Sequence, residues 1–356
     1  MAKISHPNEP EYILELVKAY SKAQEKLISI ISQKYPRSSS GAYQKKILGQ
    51  TNEVLKQLIR EGKVWTNSNI PREYKKGVNR VVNAYKEMGI DIPTFDDFSK
   101  LHHDQIDILV RNATDSLIDS TNYVGRRIND TVRRISIDSV TQAQLTGGTV
   151  QSIRADLMQR FVDNNITSMK TKNGRNINLD SYAETVARST TRESQNKAQM
   201  NHMLASNRDL VQMSSHATTC PICAPLQGRI YSISGKSTEY PPLDVAYSGG
   251  YANIHPNCRH VLMPYEPALD MDRAENKAFS NRSFDIDPRS KAQKEAYDNE
   301  QKDNRLRNRD KRQWERYRML MPNETPKTLS GFRRSKKANS KKFQELQSNY
   351  RSIRSG

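Results

Sequence analysis

The sequence predicts a mainly α protein with a small α+β subdomain and a basic C-terminal tail that is helical or partly disordered. Three observations carry this. Apolar residues return at helical spacing through most of the first 205 positions. Short strand-like pieces, separated by Pro, Gly and Cys, fill the region 208–265. Beyond Pro267 the apolar period fades and charge rises.

The N-terminal region reads as helices. Ile13, Leu16, Val17, Tyr20, Leu27, Ile30 and Ile31 share one face, with Pro10 suited to a first turn. Pro36 and the SSSG stretch at 38–41 are expected to end that helix. A second helix carries Ile47, Val54, Leu55, Leu58 and Ile59 and is expected to stop at Gly62. A third, from Pro71 to Gly89, carries Tyr74, Val78, Val81, Val82 and Tyr85. Thr94 and Asp97 have the spacing of a capping box, with Asp in place of Glu. A long pattern follows from Ile106 to about Val140, with Gly125 a point of interruption.

Gly147-Gly148 marks a turn, and Thr149 is placed to cap a helix bearing Val150, Ile153, Leu157 and Phe161. The polar stretch DNNITSMKTKNGRNINLD contains Asn-Gly and reads as a loop or hairpin. Tyr182 to about Asn207 reads as helix. Strand-like pieces follow at 210–214, 229–233 and 260–264. No internal repeat is visible.

Composition bounds the function. The chain has 356 residues, 35% hydrophobic, which allows two or three domains. No apolar run reaches the ~18 residues a membrane span needs. The opening MAKISHPNEPEYILELV is broken by acids and prolines and does not read as a secretory signal. Formal charge is +18. Residues 305–356 hold 16 Lys/Arg against four acids, a net +12. Such a balance favours polyanionic partners. The candidate phosphate contacts are Arg305, Arg307, Arg309, Lys311, Arg312, Arg316, Arg318, Arg333, Arg334, Lys336, Lys337, Lys341 and Lys342. Trp314, Tyr317, Phe332, Phe343 and Tyr350 interleave with them and are expected to stack on bases or on a partner protein. The alternative is a solvated, solubilising tail.

The three cysteines are Cys220, Cys223 and Cys258. They are too few and too clustered for a disulfide framework. Cys220-Pro-Ile-Cys223 has knuckle spacing, and His255-Pro-Asn-Cys258 repeats it. Four N/S donors in two pairs suit a tetrahedral Zn²⁺ with no open position, hence a structural ion. The expected ligands are Cys220, Cys223, His255 and Cys258, with His216 and His260 as alternatives for the histidine. Unmetallated thiols and a redox dithiol are the competing readings. His102 and His103 have no partner motif and are expected on a helix surface.

The run SSHATTCPICAPLQGRIYSISG, followed by NCRH and an apolar strand ending in proline, resembles the minor capsid proteins of tailed bacteriophages. The group is minor capsid protein 2, related to the Mu F-like head morphogenesis proteins. The matching positions are Ala187-Arg188 with Arg192-Glu193, then His216, Cys223, Gln227-Gly228 and Asn257-Cys258-Arg259-His260. The sequence departs by joining a CxxC pair, as in the Mu F-like branch, to the histidine pattern of other relatives. The resemblance implies three regions. Residues 1–114 are helical and contact the portal protein. Residues 115–265 form the head morphogenesis domain with the Cys/His cluster. Residues 266–356 are the basic tail. It also implies a non-enzymatic virion component in the interior of the phage head, assembled in the host cytoplasm. Its partners would be the portal, double-stranded DNA without sequence preference, and a scaffold or major capsid protein, with no membrane.

Rival readings are a zinc-supported nucleic-acid-binding protein and an HNH-type nuclease. His255, Asn257 and His260 are too close together to span an HNH site. A cellular DNA-binding regulator would show a compact recognition-helix unit, and none stands out. An ADP-ribosyltransferase reading of the STT run at 189–191 fails because the run lies in a predicted helix.

Overall fold

The computed structural model describes residues 10–31, 40–146, 166–170, 174, 176–247 and 252–355. Helix dominates, and two small sheets accompany it. The chain clusters into two compact units. One combines residues 1–62, 117–184 and 302–356; the other combines 63–116 and 185–301.

Helix α1 (Glu11–Ile31) buries the predicted stripe, including Ile13, Leu16, Tyr20, Leu27 and Ile31. The break expected at Pro36 and 38–41 lies mostly outside the described residues. The next helix is α2 (Ser40–Glu87), one element where the sequence predicts two. Gly62 does not stop it. A Cβ there would meet Tyr20 Oη at 3.3 Å and Leu117 Cδ1 at 3.4 Å, so the glycine serves close packing rather than termination. Pro71 removes one donor from the helical ladder. Just upstream, Asn67 and Asn69 side-chain amides donate to the carbonyls of Lys63 and Trp65.

Helix α3 (Ser99–Thr146) also runs unbroken through Gly125. Its entry uses the Thr94–Asp97 pair: Asp97 Oδ2 accepts from the Thr94 amide (2.6 Å) and hydroxyl (2.8 Å). The helix expected over 150–161 lies outside the described residues. The polar stretch forms the predicted hairpin, β1 (Ser168–Lys170) with β2 (Asn176–Asn178), and Gly174 adopts φ +75°. Helix α4 (Leu179–Ala205) follows.

The three expected strands form one antiparallel sheet: β3 (Leu210–Met213), β4 (Ile230–Ser232) and β5 (Leu262–Pro264), in order β4-β3-β5. Beneath it lies a core of Met203, Val211, Met213, Tyr231, Tyr247 and Leu262. In the same unit, α2 and α4 approach closely at Gly77. A Cβ there would stand 2.5 Å from the Gln195 carbonyl oxygen.

The C-terminal segment is helical: α5 (Arg273–Ser280), α6 (Lys291–Leu320), α7 (Leu329–Lys337) and α8 (Lys341–Ser355). The aromatics expected to face a partner instead face each other. Trp314, Tyr317, Phe332, Phe343 and Leu346 form a small core with Tyr350 against it. Burying such rings outweighs leaving them in water by roughly 1.5–3 kcal/mol each. Thr328 caps α7 by accepting from the Gly331 amide.

Candidate metal centre

Two turns bring the thiols together. The β3–β4 connection holds the CxxC pair. Cys220 Sγ accepts from the Cys223 amide at 3.4 Å, and the Cys220 carbonyl accepts from the Ala224 amide. Gly228 closes the turn at φ +77°, where a Cβ would meet Ser215 Oγ at 2.8 Å. The second turn runs from His255 to Cys258, with Asn257 at φ +63° in the left-handed region that Asn tolerates. Helix α4 holds this turn from below. Ser189 Oγ accepts from the Asn257 amide (3.0 Å), and Asn196 Nδ2 donates to the Ala252 carbonyl (2.9 Å).

The donors fall into two groups that share Cys223: Cys220–Cys223–His255 and Cys223–Cys258–His260. His255 Nε2 lies 3.2 Å from Cys220 Sγ and 3.0 Å from Cys223 Sγ. His260 Nδ1 lies 3.5 Å from Cys258 Sγ. The outer nitrogens are tied off. His255 Nδ1 donates to the Pro256 carbonyl (2.7 Å), and His260 Nε2 donates to Gln227 Oε1 (3.1 Å). Each ring therefore turns its other nitrogen to the sulfurs, the orientation that second partners impose on metal-bound histidines. His216 is in neither group; its Nε2 faces Ser214 Oγ and the Arg259 carbonyl.

The electrostatics favour a cation. Hydrogen bonds from Cys223 hold Cys220 down to about 4 and lower Cys258 as well. Cys223 is pushed up, because its proton sits between two thiolates. The Cys220 thiolate raises His255 to about 9. Three sulfurs cannot all ionise here without a positive partner. A divalent ion would replace the proton on Cys223 and the extra one on His255. The soft donors and inward-facing ring nitrogens of each group could hold such an ion, but the four expected ligands do not form one group: Cys258 joins Cys223 and His260 rather than Cys220 and His255.

Gln227, Asn196 and Ser189 support the centre, and spacing alone does not assign them these roles. Asn196 and Ser189 carry no metal-binding chemistry. Their function follows from α4 passing under the turn.

The predicted phosphate contacts are placed unevenly. Arg305, Arg307, Arg309, Arg312, Arg333, Arg334, Lys337, Lys341 and Lys342 are exposed, while Arg316, Arg318 and Lys336 are half-buried. Lys311 is a correction: it is buried and paired with Asp180, so it is withdrawn from any surface. Asp180 also accepts from Ser21, and Glu315 beside it accepts from Gln24 and Asn178. Arg333 and Lys336 share Asp310 at 3.3 and 2.8 Å. Arg318 donates to the Pro322 carbonyl.

His102 is a second correction. It is fully buried, not a surface residue, and pairs with His202. The Pro93 carbonyl takes the His202 Nε2 proton (2.9 Å), so His202 Nδ1 accepts from His102 Nε2 (3.2 Å). His102 Nδ1 then accepts from Tyr74 Oη (3.2 Å). His103 is exposed, as expected.

Comparison with known proteins places these features in a family context. The family described as phage minor capsid protein 2 matches residues 11–351. A protein called "Structural protein" from Lactococcus phage LL-H is 28% identical over 173 residues, which is 46% of this chain and 46% of that protein. The match thus spans about half the length of that relative. No solved structure matches.

Proposed function

The chain belongs to the phage minor capsid protein 2 family, and on that premise we propose that it is a non-enzymatic component of the phage head interior, bound to portal and packaged DNA. The family match across nearly the whole chain carries the structural role. The charge distribution supports binding to DNA: the exposed Arg305, Arg307, Arg309, Arg312, Arg333, Arg334, Lys337, Lys341 and Lys342 lie on helices that bury their aromatics elsewhere. Such a surface neutralises phosphates without reading bases. The reading gives the portal-facing surface to the helical N-terminal region.

The same reading assigns Zn²⁺ to Cys220, Cys223, His255 and Cys258, with His260 held behind Cys258 by Gln227. An ion there ties the β3–β4 connection to the turn after 252 and so supplies folding free energy. Four protein donors leave no position for a substrate or an activated water, which disfavours a nuclease.

The test is binding of the full chain to unrelated DNA duplexes by anisotropy, across salt. The expected result is equal affinity for different sequences and a steep loss with salt. Arg305→Gln/Arg307→Gln/Arg309→Gln/Arg312→Gln should flatten the log–log slope by about 0.9 for each phosphate no longer neutralised. No binding at low salt, or strong sequence preference, would overturn the DNA assignment.

A further inference from the structure

One arginine outside the ligand set is tied to the knuckle. Arg289 has a side chain only 7% exposed. Its Nη1 donates at 3.0 Å to the carbonyl of Thr219, the residue before Cys220. Its Nε and Nη2 fork onto Asp287 at 2.9 and 2.8 Å. The Tyr297 ring, in the first turns of α6, lies 5.6 Å from the guanidinium. Asp287 and, beyond it, the Cys220 thiolate raise Arg289; burial and Cys220 raise Tyr297. The segment 287–297 therefore wraps the outer side of the CxxC turn.

The chemistry gives this arrangement a purpose. Three thiolates, one neutral imidazole and one divalent ion sum to a net charge of −1. The Arg289 charge is already matched by Asp287, so what the guanidinium brings to the centre is its hydrogen bond to the Thr219 carbonyl. The same group fixes the peptide that sets the direction of Cys220 Sγ. Lysine could supply the charge, but not the fork that holds Asp287 and Thr219 together.

We propose that Arg289 is a positioning residue of the metal centre, and that it links ion occupancy to the order of residues 287–297. The proposal rests on the metal assignment above and concerns the surroundings of that site. Outer partners of this kind typically change metal retention about 10–100-fold.

The experiment uses the full chain loaded with Zn²⁺, and separately with Co²⁺. Zinc release to a chromogenic chelator should be at least about tenfold faster in Arg289→Ala, with Arg289→Lys intermediate. Asp287→Asn, which leaves the arginine in place, should also release faster. The Co²⁺ spectrum should stay tetrahedral in all variants, since no ligand is removed. Hydrogen exchange at 287–297 should slow on loading in wild type and not in Arg289→Ala. A wild-type release rate in Arg289→Ala, or exchange at 287–297 indifferent to the ion, would overturn the proposal while leaving the metal centre standing. A wild-type chain that takes up no metal overturns both.

Discussion

At the residue scale, buried polar groups decide more than their number implies. The Lys311–Asp180 pair is enclosed, and Asp180 stays ionised because Lys311, Ser21 and the Ser181 amide outweigh its burial. Removing one partner strands the other charge, so Lys311→Met should lower unfolding free energy by ~3–5 kcal/mol in urea melts. Adding Asp180→Asn should recover part of that loss. The His102–His202 relay predicts a pH dependence. Burial holds His102 down to about 4 and depresses His202 as well. Below the ordinary value near 6.5 the unfolded chain takes up protons that the fold refuses. Stability is therefore complete above about pH 6.5 and falls as pH drops toward 4. His102→Asn should show a shallower fall over that window in thermal melts; an unchanged slope would remove the relay from the account. Neither network is legible in the sequence. Lys311 sits in a basic run and His102 in a polar helix turn, and only the fold shows what faces them. The Cys/His cluster is legible, because knuckle spacing is local.

At the element scale, glycine misleads most. Gly62 reads as a helix end and Gly125 as an interruption, yet both lie within continuous helices. Helix punctuation and close packing use the same residue, and sequence does not distinguish them. The structure separates the cases by what surrounds each one. At Gly77 a Cβ would meet backbone and the Ala198 Cβ at 2.8 Å. Gly77→Ala should cost ~1–3 kcal/mol in chemical denaturation, the range for overpacking. At Gly125 the near atom is the flexible end of Leu55, 2.7 Å away. Gly125→Ala should be close to neutral, because up to ~1 kcal/mol of helix propensity offsets the shift. The hairpin at 168–178 and the three strands of the sheet are readable, since turn residues bound each one. The C-terminal helices read as a tail because charge masks a sparse aromatic core.

At the scale of the whole molecule, the fold is built from long amphipathic helices and a small sheet whose connections contribute Leu226, Leu243, Tyr247 and Ala252 to the core. The Cys/His turns border the buried core that includes Leu226, Tyr247, Ala252 and Leu262, and in the proposed reading an ion would add folding free energy to that packing. Among the described residues no helix is long and apolar enough to cross a membrane. Family membership makes the chain a phage minor capsid protein, and the surplus of exposed Lys/Arg is the feature on which the proposed contact with DNA phosphates rests. The structural role proposed for the centre requires that the sheet unit fold around a metal. The most direct test is elemental analysis of the purified full chain together with its thermal melt, for wild type and for Cys223→Ser/Cys258→Ser. The account predicts about one zinc per wild-type chain from a single tetrahedral set, with zinc and the cooperative melt of the sheet unit lost together in the variant. A wild-type chain that melts cooperatively without metal, and a variant that melts at the same temperature, would contradict it.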